Sequence, residues 1–504
     1  MDLTYWIEQN KGHALDALKE LVRIQSDAGD PVHTSSGEIY PFGQGVQDAF
    51  AYMLSKGEEY GFSVQNVDGY GGHIQWTAGP AAETVGILGH LDVVPAQDGW
   101  SFDPYGGEET GGDGPEGAFL QGRGTTDDKG PLLAAFYAMK ALKDAGYEPR
   151  RRIRLILGLD EETGMTGMRH YLEQEGPPDI GFTPDGDFPV DSGEMGMIVC
   201  ELARKLSRGP TKGLALTRLS GGNSPTMVPD RARAVVKADK AAYEVIRQKA
   251  ADFGQETGHK IRCRGVGKSL ELLADGKGCH GATPWAGLNA ISVMFDFLGR
   301  LNFVNEDLND FIQFYNRHIG YALDGSGMGC MIEDDLSGKT IWNAGMVSYD
   351  GDSITLNVNI RVPVSSSVEA IYAGMTPVLD EYDLGIVKLR EIPPHYYPDD
   401  HPLVKTLLEV YRDMTGDEEA RPLVIGGETY AKCCRNVVAF GGLFPGDPDV
   451  MHQKDEKIQV RRFYQLIEIY AEAIQRLDQM AIPTDIDANL EKAPVAACEE
   501  EENE

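Results

Sequence analysis

Near its start the chain repeats apolar residues at helical spacing over 1–24 and 45–60; in the second stretch Val46, Phe50 and Met53 fall at i, i+4 and i+7. TVGILGH (84–90) and RIRLILGLD (152–160) follow another pattern, short and almost wholly apolar, each ending in a turn before a helical segment. Runs of that kind predict strands buried on both faces of a mixed or parallel sheet with helical crossovers. Between them, DDKGPLLAAFYAMKALKDAG sets Pro131 near a helix start and Gly146 at its end. Open α/β sheets carry their chemistry beyond the carboxyl ends of strands. His90, Asp127 and residues 160–162 all lie at such an end or at a helix start.

The pattern changes after about residue 191. SITLNVNIRVPV (353–364) alternates, with Ile354, Leu356, Val358, Ile360 and Val362 on one face and Thr355, Asn357, Asn359 and Arg361 on the other. This predicts a half-buried strand of an antiparallel sheet covered on one side. The expected organisation is an α/β domain in two parts, 1–191 and 391–482, interrupted by an α+β domain at 192–390. Phe463, Leu466, Ile467, Tyr470, Ile474 and Leu477 form one helical stripe, expected to be the last core helix of the first domain. The remaining residues, 483–504, read as a disordered acidic tail.

Composition narrows the function. The 504 residues are 41% hydrophobic and 25% charged, an ordinary globular balance, but the net charge is −33. Such a charge repels phosphate backbones and anionic lipid, so neither nucleic acid nor a membrane is an expected partner. No apolar run approaches the roughly 18 residues of a membrane span, and MDLTYWIEQNKG lacks the apolar segment of a signal peptide. Seven scattered cysteines without C-x-x-C spacing read as reduced thiols. A cytoplasmic protein is the expectation.

Four short segments, and a fifth near the C-terminus, concentrate metal-type ligands. GHLDVVP offers His90, with Asp92 two residues on; on a strand the two share a face, and Asp92 could hydrogen-bond the imidazole. GRGTTDDKGP places Asp127 and Asp128 at a helix N-terminus, where carboxylates are favoured. LDEETG crowds Asp160, Glu161 and Glu162 at a strand end, a setting for a cation or a raised pKa. TPDGDFPV contributes Asp185, and FPGDPDVMHQKDE contributes His452 between acids. None of these segments is diagnostic alone.

In this order and spacing the set resembles the dinuclear-metal exopeptidase family of aminoacylases, desuccinylases, glutamate carboxypeptidases and carnosinase-like dipeptidases, over about residues 1–480. PFGQGVQDAF, PDGDFP, the long insert and IGGETYA make it most similar to the peptidase V type of bacterial dipeptidase. The resemblance implies a zinc-exopeptidase-like catalytic domain, its mixed sheet flanked by helices, and an inserted α+β lid with an antiparallel sheet. It further implies His90 and Asp185 on one divalent ion, Glu162 and His452 on another, and Asp127 bridging. Mixed His and carboxylate ligation suits zinc, manganese or cobalt. By the same resemblance Glu161 is the general base, Asp92 orients His90, His280 in KGCHGATP stabilises the oxyanion, and Arg361 binds a substrate carboxylate. Asn223 in SGGNSPTMVP and Thr429 in IGGETYA are further substrate contacts.

Four features depart from the family pattern or add to it. Glu428 stands where the family has glycine, and Lys432 where it often has arginine. Residues 106–117, GGEETGGDGPEG, are long and acidic and read as a flexible loop without a role. Cys279, beside His280, reads as an inert thiol. The expected function is hydrolysis of unblocked dipeptides by a monomer, with a metal-bridged hydroxide attacking and Glu161 as base. The alternatives are an N-acyl-amino-acid amidohydrolase using the same metals, and a non-catalytic metal- or peptide-binding protein that keeps the fold.

Overall fold

The computed structural model describes residues 3–35, 37–112, 117–207 and 212–483; the expected tail at 483–504 thus lies, but for its first residue, outside the described residues. The chain divides into two compact units. Among the described residues, the first comprises those up to Gly193, Tyr396–Val424 and 428–483; the second is Glu194–His395 with Ile425–Gly427. Where the sequence suggested an insert at 192–390, the second unit therefore starts and ends slightly later and also takes in a three-residue piece of the later chain.

The first unit is built on a mixed sheet. Across its middle the strands run Val437–Ala439, Ile180–Thr183, Thr84–His90, Arg152–Gly158, Gly71–Trp76 and Ser63–Val67. The first four are mutually parallel, and the last two continue antiparallel. Thr84–His90 is buried at every position, as its continuous apolar pattern requires. Helix Lys129–Asp144 packs against helices Leu3–Val22 and Val460–Gln479. The predicted stripe of the last helix is fully buried, from Phe463 to Leu477.

Parallel order fixes where the loops go. Arg152–Gly158, Thr84–His90 and Ile180–Thr183 are adjacent, so their carboxyl ends emerge side by side on one edge of the sheet. Glycines permit close packing there. A Cβ on Gly89 would collide with the Asp128 carboxylate, and one on Gly158 would strike the Tyr430 ring. Of residues 106–117, expected as a loop, 113–116 lie outside the described residues, and the described ones are not loop throughout. Glu108–Gly111 is a strand paired with Ala118–Gln121, which also pairs with Lys457–Gln459.

The second unit holds an eight-stranded sheet in which every recorded pairing is antiparallel. Ser353–Val362 lies between Ile341–Tyr349 and Gly196–Lys205. Its apolar face, Ile354 to Val362, joins helices Ala290–Leu298 and Glu306–Phe314 in one core. The polar face departs from the expected half-burial. Thr355 and Asn357 are half-buried, but Asn359 and Arg361 are 1% and 3% exposed. A solvated polar face therefore holds for only part of the strand.

Candidate metal centre

Three adjacent strand ends and one helix start supply most of the first unit's cluster. His90 closes strand Thr84–His90, Glu161 and Glu162 follow Arg152–Gly158, and Asp185 follows Ile180–Thr183. Asp127 precedes helix Lys129–Asp144. His452 comes from the loop ahead of strand Lys457–Gln459.

Asp127 is central. Its Oδ1 lies 3.0 Å from His90 Nε2, and its Oδ2 lies 2.9 Å from His452 Nε2. One carboxylate thus presents an oxygen to each imidazole. His90 Nε2 is also 3.7 Å from Asp185 Oδ2, and His452 Nε2 is 3.0 Å from Glu162 Oε1. Donor atoms of His90, Asp127 and Glu162 lie within 4.8 Å of one another, as do those of His90, Glu161 and Asp185. Glu161 therefore stands on the His90–Asp185 side.

The supporting residues are themselves buried. His90 Nδ1 is 2.9 Å from the backbone carbonyl of Asp92 and 3.4 Å from its Oδ1. The Asp92 carboxylate also accepts the N–H groups of Glu161 and Glu162, at 3.1 Å each. The sequence suggested a side-chain contact with His90; the structure adds that Asp92 ties the His90 turn to the Glu161–Glu162 turn. Asp128 Oδ2 accepts the His90 backbone N–H at 3.1 Å. Asp160 turns away and accepts from Thr166 and Gly167 at the start of the next helix.

The charges are crowded. Burial, then the neighbouring Asp127 carboxylate, pushes the Asp185 carboxyl up to about 8. Burial, then Asp185, holds Glu161 well above the usual range, and Glu428 adds to that effect. Burial acts on Asp127 in the same sense, but its bonds to His452 and His90 outweigh it and leave the carboxyl far below its ordinary value. Burial alone would lower His452; the bonds to Asp127 and Glu162 raise it instead, to about 12. Four carboxyl groups, those of Asp127, Glu161, Glu162 and Asp185, meet two imidazoles, with the buried Asp92 and Asp128 carboxylates behind them. Such a donor set fits divalent cations, which would offset the repulsion. His90 and Asp185 could hold one ion, Glu162 and His452 a second, with Asp127 shared.

The remaining sequence candidates fall elsewhere. Thr429 is buried in the first unit, where its Oγ1 accepts the Ala431 N–H at 3.1 Å. In the second unit Asn223 is exposed after strand Ala215–Gly221, and His280 is exposed on the ribbon that Met227–Val228 makes with Cys279–His280. Burial raises the Cys279 thiol, which suits an inert cysteine. Arg361 pairs across strands with Ile341 and Met197.

Four residues escaped the sequence reading. Asn343 Nδ2 donates to the carbonyls of Pro225 and Met227, so it anchors the ribbon that carries His280. Asn359 lies directly opposite Asn343, buried beside the Arg361 row; its place on the polar face was legible, its burial was not. Arg123 and Glu456 form a buried ion pair at 2.7 Å. Glu456 was visible only as an acid beside His452.

A family model described as peptidase family M20/M25/M40 matches residues 86–476. The protein named "Putative dipeptidase YtjP" from Bacillus subtilis is 36% identical over 91% of this chain and 96% of its own length. A second protein of that description, SH1171 from Staphylococcus haemolyticus, is 34% identical over 94% of this chain and 98% of its own. Human carnosine dipeptidase 1 superposes with a TM-score of 0.57 at 17% identity, covering 95% of this chain and 98% of that one. Dug1p from Saccharomyces cerevisiae, described as a di-peptidase, gives 0.55 at 14% identity over 95% and 98%. Among the described residues no helix is long and apolar enough to cross a membrane. With a family model over most of its length and relatives above 30% identity along nearly all of it, the chain belongs to peptidase family M20/M25/M40.

Proposed function

We propose that the protein is a metal-dependent dipeptidase acting on unblocked dipeptides. The observation that carries this reading is Asp127, one oxygen facing His90 and the other facing His452, within a cluster completed by Glu162 and Asp185. The relatives described as dipeptidases support the same substrate class. Two divalent ions held there, zinc or manganese with cobalt as a third candidate, would acidify a water and polarise the scissile carbonyl.

The chain's own residues do the rest. Glu161, on the His90–Asp185 side, takes a proton from the attacking water and delivers it to the leaving amine. Asp92 holds the two turns that carry His90 and Glu161. Asp128 fixes the strand end through the His90 N–H. The same reading assigns oxyanion stabilisation to His280 and a substrate carboxylate to Arg361, whose planar guanidinium suits a bidentate partner. Asn223 and Thr429 are lesser substrate contacts. It also includes a cytoplasmic protein working as a monomer.

The test is turnover of a panel of dipeptides and N-acyl amino acids by metal-stripped protein, with zinc, manganese or cobalt restored singly. Metal-dependent dipeptide cleavage, absent in Glu161→Gln, is the expected result. Cleavage of acyl-amino acids alone would move the protein to the amidohydrolases. Metal binding without turnover of either class would leave a non-catalytic binding protein.

A further inference from the structure

Glu456 sits four residues after His452 and is fully buried. Both oxygens of its carboxylate are engaged. Oε1 accepts the N–H of Thr126 at 2.9 Å and its hydroxyl at 2.8 Å, while Oε2 accepts from Arg123 Nη1 at 2.7 Å. Its carbonyl accepts the Gly122 N–H at 3.0 Å. Thr126 is the residue immediately before Asp127. The segment carrying His452 is thus bound to the segment carrying Asp127, one residue away from the shared carboxylate.

A second attachment lies beside the first. Asp455 Oδ1 accepts the N–H and hydroxyl of Ser101, at 2.7 and 3.0 Å. Arg123 also lies over the Trp100 ring, 5.1 Å from its centroid. The hydrogen bonds of Met451 and Gln453, by contrast, go to Asp449 and Val450 within the same loop. His452 and Asp455 both take left-handed backbone conformations, with φ of +58° and +63°. Non-glycine residues persist there when surrounding contacts over-determine them.

We propose that Glu456, braced by Arg123, is a positioning residue that sets the distance between His452 and Asp127 and thereby the affinity of the ion His452 would hold. This rests on the metal-centre reading above. Glu456 touches neither ion nor substrate; it acts through Thr126 on one side and through its own loop on the other. Removing a partner that orients a metal ligand typically lowers metal affinity by about 10–100-fold.

The experiment uses the full chain and titrates Zn²⁺ against a chromogenic chelator, alongside the melting temperature of metal-free protein. Thr126→Val keeps the backbone donor and removes the hydroxyl, and Thr126→Ser restores it. In Thr126→Val and Glu456→Gln one of two Zn²⁺ binding steps should weaken about tenfold or more, with Thr126→Ser within about twofold of the parent. Excess Zn²⁺ should then recover kcat with KM unchanged. A fall in melting temperature with both Zn²⁺ steps unchanged would overturn the proposal and leave a structural ion pair. If Glu456→Gln does not fold, the Thr126 pair decides. A parent protein that binds no Zn²⁺ would instead refute the metal centre itself, which separates the two failures.

Discussion

The two units bury polar residues in contrasting ways. The first brings His90, Asp92, Asp127, Asp128, Lys129, Asp160 and Glu456 into its interior. The second buries an apolar core between an antiparallel sheet and helices, and its few buried polar side chains include Asn343, Asn359 and Arg361 on neighbouring strands. Strand direction explains the difference. Three neighbouring parallel strands send their carboxyl ends, and the loops that follow, to one edge of the sheet. Ligands from distant parts of the sequence then meet there. Antiparallel strands alternate their ends, so the second unit's polar groups line up along a face instead, at cross-strand register.

That contrast can be broken most sharply at Glu161. Glu161→Gln should lower kcat by about 10²–10⁴-fold while the protein still binds two metal ions, read by steady-state kinetics and metal analysis. Retained turnover would remove the base from the first unit. Leu356→Ala, in the second unit's core, should cost about 2–5 kcal/mol of stability by urea unfolding, with metal stoichiometry unchanged. A lost metal ion would show that the apolar core and the ligand cluster are not separable. Arg361→Ala should raise KM for dipeptides, costing about 1.5–3 kcal/mol of binding, the range for hydrogen bonds to charged groups. An unchanged KM would return Arg361 to a structural role.

The smallest expected effect concerns pH. Burial, then Arg154 and Arg152, lowers His73 to about 3, and its Nδ1 lies 2.9 Å from the Tyr171 hydroxyl. A depressed folded value favours the neutral ring, so this contribution is complete above the unfolded value of about 6.5 and is lost as pH falls from there toward 3. Between pH 7.5 and 5.5 the loss amounts to about 1.4 kcal/mol. Urea unfolding of the parent and of His73→Gln should differ in pH slope by that amount. Identical slopes would contradict it.

Much of this protein was written locally. Apolar spacing at 1–24, 45–60 and along the last stripe, with Pro131 and Gly146 as end signals, anticipated helices Leu3–Val22, Gln44–Glu59, Val460–Gln479 and Lys129–Asp144. The apolar runs at 84–90 and 152–160 and the alternation at 353–364 anticipated strands Thr84–His90, Arg152–Gly158 and Ser353–Val362, because such patterns report the local backbone itself. Ligand-type residues were legible because turns after strands concentrate few residue types. Strand order was not. That Arg152–Gly158 and Ile180–Thr183 flank Thr84–His90 is decided by packing between segments far apart in sequence, and only this order brings Glu162 and Asp185 to His90's edge of the sheet. The same long-range packing turned Asn359 and Arg361 from a solvated face into buried groups, and divided Asp92 between two turns. It also set Glu456 against Thr126, a contact spanning 330 positions that no local pattern encodes. The sequence by itself determined which elements form and which side chains could bind metal. Tertiary structure alone decided which of them meet, since adjacency in a sheet depends on non-local pairing rather than on the period of any one segment.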